Sequence, residues 1–122
     1  MPIRILYVDD EEDIREVVDI SLSLDPEFEV RLCDGGPAAL EAAASWGPAL
    51  ILLDFMMPGM DGPATLAQLR ADPATAHIPV VFVTARSARA DVDHLLSLGA
   101  AGVIAKPFDP IALSGKVRDF LP

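Results

Sequence analysis

The sequence predicts an α/β fold in which one five-stranded parallel sheet carries helices on both faces. Short apolar segments alternate five times with amphipathic or alanine-rich segments along the 122 residues. Proline or glycine stands at most of the junctions, so the connections are short. Strands that alternate with helices through short connections form a parallel sheet with helices on both faces. A chain of this size is expected to form one domain with one core.

Five segments have the composition of β-strands. The run that ends in Asp54 is unbroken and apolar, which is typical of a strand buried on both faces. The segment that begins at Phe28 alternates apolar and polar residues, which indicates a strand nearer the sheet edge. The five predicted strands are 3–8, 28–33, 49–54, 78–84 and 102–105.

The helices between these strands are predicted from apolar spacing and from the residues at their ends. The first helix ends near Leu24, and Gly99 is the left-handed terminator of the fourth, which spans about 88–98. Ser87 is predicted to cap that fourth helix, and Asp109-Pro110 predicts an N-cap with proline at the first position of the last helix. The apolar residues expected to face inward from the first, fourth and last helices are Ile14, Val17, Val18, Leu22, Val92, Leu95, Leu96, Ile111, Leu113, Val117 and Phe120.

Charge, hydropathy and cysteine content indicate which partners and which compartment to expect. Nine basic and nineteen acidic side chains give a net charge of −10, so nucleic acid and anionic membrane surfaces are poor partners. No apolar run reaches the ~18 residues that span a bilayer, and the amino terminus lacks the layout of a signal peptide. The single cysteine, Cys33, lies in an apolar strand pattern and is expected to be a buried thiol. We therefore expect a cytoplasmic protein.

Polar side chains recur where the predicted strands end. Asp9 and Asp10 follow the first strand, Asp54 ends the third, Thr84 ends the fourth and Lys106 follows the fifth. Parallel strands share one direction, so all of these residues are expected at one edge of the sheet. That edge is where open α/β sheets place their ligand sites.

The residue types at this edge favour phosphoryl chemistry. Three carboxylates repel one another unless protons or a cation neutralise them, and an all-oxygen site suits Mg²⁺ or Mn²⁺. Lys106 adds a positive charge and Thr84 a hydroxyl donor, which fits a reaction governed by positioning and charge neutralisation. Asp54 is the best-placed nucleophile, while Asp9 and Asp10 hold the metal.

In these features the sequence resembles a CheY-like receiver domain, the phosphoacceptor module of two-component response regulators. Each motif alone is weak evidence, but together and in this order they are highly specific. The resemblance covers essentially the whole chain, 1–122, and implies a flavodoxin-like (βα)5 sheet of order 2-1-3-4-5. Because 122 residues leave no room for an output domain, we expect a single-domain regulator or phosphorelay shuttle, unless the sequence is part of a longer chain. The motifs are Asp9-Asp10, Asp54 with Met57-Pro58-Gly59-Met60-Asp61-Gly62, Thr84-Ala85, Gly99-Ala100 and Lys106-Pro107-Phe108.

The resemblance also implies a mechanism. A histidine kinase or a histidine phosphotransfer protein would present a phosphohistidine, and Asp54 would take the phosphoryl group. Lys106 would pair with one phosphoryl oxygen, Thr84 would move to bond another, and the Lys106-Pro107 peptide would be cis. The implied metal ligands are Asp10, Asp54, the carbonyl of Met56 and, largely through water, Asp9.

One position departs from the family pattern. Receivers often carry Tyr or Phe three residues before the lysine, as a rotameric partner of the threonine, and here that residue is Val103. Coupling from Thr84 to the output face is therefore expected to run through the backbone or through the fourth helix. In similar receivers the positions of Met56 and Arg86 tune hydrolysis of the acyl phosphate, and Ala85 is a further expected tuning or switch position; the alternative is that Met56 and Arg86 are ordinary loop residues. Methionine cannot orient water, so we expect a phosphoryl lifetime of minutes or longer.

Two other functions are alternatives to the phosphoacceptor. A receiver-like adaptor that works without phosphorylation would have no need to hold these charges together, although Val103 favours it. A flavodoxin-like or phosphatase-like enzyme would need a glycine-rich phosphate cradle or a second acid two residues after Asp54, and the sequence has neither. We therefore expect a switch and not an enzyme, acting by contact with an unknown target protein as a monomer or weak dimer. The resemblance places kinase contact on the first helix and target contact on the fifth.

Overall fold

A computed structural model describes residues 2–86 and 88–121. Within these residues all neighbouring strands of a five-stranded sheet are parallel, and their order is 2-1-3-4-5. The predicted fold class and strand order are therefore confirmed. The strands are β1 (Ile3–Val8), β2 (Phe28–Cys33), β3 (Leu50–Asp54), β4 (Val80–Thr84) and β5 (Gly102–Ala105). The helices are α1 (Glu12–Leu22), α2 (Gly36–Trp46), α3 (Gly62–Ala71), α4 (Arg89–Ser97) and α5 (Leu113–Arg118).

Both faces of the sheet are covered by helices. Every residue of β3 and β4 is buried, because successive side chains of a strand point to opposite faces and both faces meet a core. The core on one face takes residues from α1 and α5, and the core on the other takes residues from α2, α3 and α4. β2 lies at the sheet edge, as predicted, and the thiol of Cys33 is buried.

Hydrogen bonds among its own residues fix the loop between β3 and α3. The side chain of Asp61 caps α3 by accepting a hydrogen bond of 2.8 Å from the amide of Ala64. The amide of Gly62 donates to the carbonyl of Phe55 at 3.0 Å. A β-carbon on Gly62 would stand 2.7 Å from the carbonyl oxygen of Asp54, so this approach requires glycine. The start of α3 is thereby fixed against the end of β3.

The prediction for the last helix is wrong at its start. Asp109 accepts a hydrogen bond from the amide of Ile111 at 2.9 Å, but the residues that follow form a turn. α5 begins at Leu113, and Ile111 is 80% exposed instead of facing the core. An aspartate that caps a turn and one that caps a helix have the same local sequence, and packing decides between them.

Smaller differences concern the apolar faces and the ends of the other helices. Val17 and Leu96 were expected to face inward but are exposed, because the buried stripes of α1 and α4 are narrower than predicted. α1 ends two residues before Leu24, and Gly99 follows α4 with a φ of +105°, as expected of its terminator. The predicted cap Ser87 lies outside the described residues. No helix in the described part of the chain is long and apolar enough to cross a membrane.

Candidate functional site

The carboxyl edge of the sheet brings the strand-end residues together. Asp54 ends β3, Asp9 directly follows β1 and Lys106 directly follows β5. The ammonium nitrogen Nζ of Lys106 donates to Oδ1 of Asp54 at 2.9 Å and to Oδ2 of Asp9 at 3.1 Å. The lysine therefore joins two carboxylates that lie 45 positions apart in the sequence and are carried by neighbouring strands.

Asp9 is fully buried, and both of its carboxylate oxygens accept hydrogen bonds. The phenol of Tyr7 donates to Oδ2 at 2.7 Å, and the amide of Glu11 donates to Oδ1 at 3.0 Å. The guanidinium of Arg15 donates to the backbone carbonyl of Asp9 at 2.8 Å. A buried carboxylate is stable only when it is paired and hydrogen-bonded in this way.

Three carboxylates of this edge are close enough to share one cation. One oxygen from each of Asp9, Asp10 and Asp54 can be chosen so that all lie within 4.8 Å of one another. Asp10 is exposed, so the group opens to solvent on its side. Lys106 supplies one positive charge against three negative ones, and the donors are all oxygen. The donor set therefore fits a hard divalent cation.

Burial and neighbouring charges set the protonation of the site. The pKa of Asp54 is raised, chiefly by burial and also by the charges of Asp9 and Asp10, although the hydrogen bond from Lys106 opposes this. Burial acts to lower the pKa of Lys106, but its contacts with Asp54 and Asp9 outweigh burial and raise it. Burial, with the adjacent Asp9 carboxylate, raises the pKa of Tyr7 far above its ordinary value. Lys106 therefore stays charged and Tyr7 stays a hydroxyl donor.

A cleft of about 310 Å³ lies over Asp54. Thr84 closes one side, where its hydroxyl oxygen accepts a hydrogen bond of 3.0 Å from the amide of Arg86. Met56 is 70% exposed at the opening of the cleft. The cleft is lined by Glu11, Asp54, Phe55, Met56, Thr84, Ala85, Arg86 and Lys106.

Two of the predicted switch residues lie away from this cleft. Val103 is half-buried on β5, beside Phe82 of β4, and packs on the core that α2, α3 and α4 cover. Pro107 follows a cis peptide bond from Lys106, as the resemblance implied. It lines a second, apolar cleft of about 310 Å³ between α1 and the loop after β5, together with Ile14, Val17, Ala85, Lys106, Phe108 and Pro110.

Sequence reasoning missed Tyr7 and Glu11, which both donate to Asp9. For Tyr7 a signal was available. It is the chain's single tyrosine, and it stands two residues before Asp9 in a strand whose other buried residues are aliphatic. Residues i and i+2 of a strand point to the same face, so the phenol and the carboxylate could have been expected to meet.

The comparisons with known proteins agree with this geometry. Residues 5–118 match the family model described as the response regulator receiver domain. The chain belongs to this family. The receiver domain is 43% identical over 118 residues to the response regulator PleD of Caulobacter vibrioides, covering 97% of this chain and 26% of PleD. It is 38% identical over 120 residues to the response regulator Rre1 of Synechocystis sp., covering 98% of this chain and 52% of Rre1.

The solved structures give the same relationship. The chemotaxis protein CheY4 of Vibrio cholerae superposes on this receiver domain with a TM-score of 0.90 and 27% identity, covering 99% of this chain and all of CheY4. The chain therefore spans about a quarter of PleD and half of Rre1, but matches CheY4 along its whole length.

Proposed function

We propose that this receiver domain is a phosphoacceptor switch that takes a phosphoryl group from a phosphohistidine onto Asp54. The observation that carries the proposal is the pairing of Asp54 Oδ1 with the ammonium of Lys106 at the floor of an open cleft, within reach of two more carboxylates. The donor would be a histidine kinase or a histidine phosphotransfer protein. The output would be contact with a downstream protein.

In the proposed reaction the carboxylate of Asp54 attacks phosphorus in line with the leaving histidine nitrogen. The Asp54 O–P bond forms as the P–N bond breaks, and the imidazole leaves carrying the bonding electron pair. Lys106 releases Asp54 Oδ1 and pairs with a phosphoryl oxygen, so that its charge follows the developing negative charge. Thr84 exchanges its bond from the Arg86 amide for a contact with another phosphoryl oxygen.

The residues of the site fit Mg²⁺ or Mn²⁺ as the cofactor. The proposed ligands are Asp10, Asp54 and the carbonyl of Met56, with Asp9 acting largely through water. When bound, the cation would neutralise charge on the phosphoryl oxygens and on the carboxylates. In this proposal the protein assists its own phosphorylation and slowly hydrolyses its own acyl phosphate. It acts as a signalling protein and does not turn over a substrate as an enzyme does.

The decisive test is phosphorylation by acetyl phosphate with Mg²⁺, read by intact mass. We expect the native protein to gain one phosphoryl group and the Asp54→Asn variant to gain none, since the amide is a poor nucleophile. Asp34→Asn is the matched control, because Asp34 is exposed, follows β2 at the same edge, and lies outside the cleft lining. The folded native protein staying unmodified would favour the phosphorylation-independent adaptor instead.

Met56 predicts a long-lived acyl phosphate. A thioether cannot orient the attacking water, so we expect a half-life of minutes or longer for the native protein. Met56→Asn adds an amide at the cleft opening and should shorten the half-life by about tenfold, the equivalent of one hydrogen bond of ~1.4 kcal/mol in the transition state. Loss of ³²P label measures this, with Met60→Leu as a control in the same loop. A native half-life of a few seconds would contradict the prediction.

The response to phosphorylation is proposed to pass through the backbone and α4. Thr84 is bonded to Arg86 at the start of the segment that leads to α4, so a shift of the threonine acts on that segment directly. Val103 has no ring that could move between buried and exposed positions. The phosphoryl group adds a charge of about −1.5 to −2, which shifts α4 and the segment before it between two conformations. The proposed contact faces are α1 for the kinase and α5 for the target.

A further inference from the structure

Tyr7 is a buried titratable group that the proposed phosphotransfer does not use. Its ring lies on β1, beside Leu32 of β2 and Leu52 of β3, in the core that α1 and α5 cover. Only 1% of the residue is exposed, yet its hydroxyl reaches the carboxyl edge of the sheet and donates to Asp9 Oδ2 at 2.7 Å. The ring belongs to the core, whereas the hydroxyl belongs to the site.

The hydroxyl is not needed for packing. Phenylalanine would fill the same volume, and a hydroxyl taken from water into a core is unfavourable unless it finds a partner. The buried hydroxyls of Ser21, Thr65 and Thr75 donate to nearby backbone carbonyls, as is usual for such groups. Tyr7 donates instead to a carboxylate of the acidic cluster.

The hydrogen bonds of Asp9 assign different roles to its two oxygens. Oδ2 accepts from the Tyr7 phenol and from the Lys106 ammonium, which fills both of its lone-pair directions. Oδ1 accepts from the amide of Glu11 and keeps one direction available. The side that carries Oδ1 is therefore the one that can face a cation or a water bound to it.

We propose that Tyr7 is a positioning residue for the divalent cation, acting through Asp9. The phenol holds Oδ2 and so presents Oδ1 to the cation or to a water bound to it. It also keeps the buried carboxylate hydrogen-bonded when Lys106 turns to the phosphoryl group. A tyrosine suits this role because its two side-chain torsions are fixed by the surrounding core. The inference rests on the proposed function, since it concerns the cation used in the phosphotransfer.

The first test is divalent-cation affinity in Tyr7→Phe, measured by electron paramagnetic resonance of free Mn²⁺ and by competition with Mg²⁺. Loss of a hydrogen bond to a metal-binding carboxylate weakens metal binding by about 10–100-fold, so we expect a dissociation constant at least about tenfold higher than native. Thr75→Val is the matched control. It removes a buried hydroxyl that donates to the Leu69 carbonyl at 2.7 Å, away from the acidic cluster, and should leave Mn²⁺ affinity unchanged.

A second measurement uses the native protein and needs no variant. Because Tyr7 is the chain's single tyrosine, labelling tyrosine with ¹³C at Cζ gives one signal in the NMR spectrum. We expect Mg²⁺ to shift this signal, because a cation near Asp9 draws electron density from the carboxylate that accepts the Tyr7 hydrogen bond. Equal affinity in Tyr7→Phe, or a signal that Mg²⁺ leaves unmoved in a native protein that binds Mn²⁺, would overturn the positioning role alone. A native protein that binds no Mn²⁺ would overturn the proposed metal site as well.

Discussion

Lys106→Met is expected to lower the free energy of unfolding by about 3 kcal/mol at neutral pH without divalent cations. The substitution removes the ammonium that joins Asp54 to Asp9 and leaves the fully buried Asp9 carboxylate without a countercharge. Removing one partner of a buried ion pair costs about 3–5 kcal/mol, and the lower end applies because the Lys106 side chain is one-fifth exposed. Urea unfolding in EDTA measures the difference.

The stability difference between the native protein and Lys106→Met is expected to depend on pH. The folded protein raises the pKa of Lys106, because contacts with Asp54 and Asp9 outweigh the effect of burial. A raised pKa means that the folded state binds the proton more tightly than the unfolded chain. The stabilisation is therefore present below the ordinary lysine pKa of 10.5 and is lost as the pH rises through the raised pKa of Lys106 in the folded protein. The stability difference between native and variant should be steady from about pH 7 to 10 and shrink at more alkaline pH.

Lys116→Met is the control for Lys106→Met, because Lys116 is exposed on α5. It should change stability by no more than about 0.5 kcal/mol. Millimolar Mg²⁺ should restore part of the stability lost in Lys106→Met, since a cation can replace the missing positive charge. Equal urea midpoints for Lys106→Met and native protein in EDTA would show that Asp9 does not depend on the ammonium.

The sheet could be predicted because its strands are specified locally. The apolar run of β3 and the β-branched run of β4 are typical of strands buried on both faces, and glycine or proline stands just before each of them. The start of α5 could not be predicted in the same way. Asp109-Pro110 satisfies the local rules for a helix start, but whether a capped turn continues into a helix depends on contacts distant in sequence.

The candidate site could be predicted only to the level of strand ends. Parallel strands with polar residues at their ends place Asp9, Asp54 and Lys106 at one edge, which needs no knowledge of side-chain conformation. Which carboxylate oxygen accepts from Lys106, and that Tyr7 reaches Asp9 from within the core, depend on side-chain torsions set by packing. The segment Tyr7-Val8-Asp9 indicates that the phenol and the carboxylate share one face, but it does not show which oxygen accepts from which donor.

Phe82→Ala is expected to lower the free energy of unfolding by about 3–5 kcal/mol, the usual cost of removing a buried phenylalanine. Phe82 is fully buried on β4 and meets Phe55 edge to face, with ring centroids 6.0 Å apart. Its ring also lies against Gly62 at the start of α3. The loss is a large part of the roughly 5–15 kcal/mol that stabilises an ordinary domain. Urea unfolding measures it from the shift in midpoint, provided that the m-value, which scales with the surface exposed on unfolding, is unchanged.

Two further variants separate this cavity effect from a general sensitivity to apolar truncation. Ile111→Ala removes a comparable apolar side chain from an exposed position and should change stability by no more than about 0.5 kcal/mol. Phe82→Leu keeps most of the buried volume and should lose clearly less than Phe82→Ala. Because Phe82 packs on the residue that follows Asp54, Phe82→Ala should also slow phosphorylation by acetyl phosphate, even where the protein is fully folded. A loss below about 1 kcal/mol would mean that the ring is not packed between β4, Phe55 and α3.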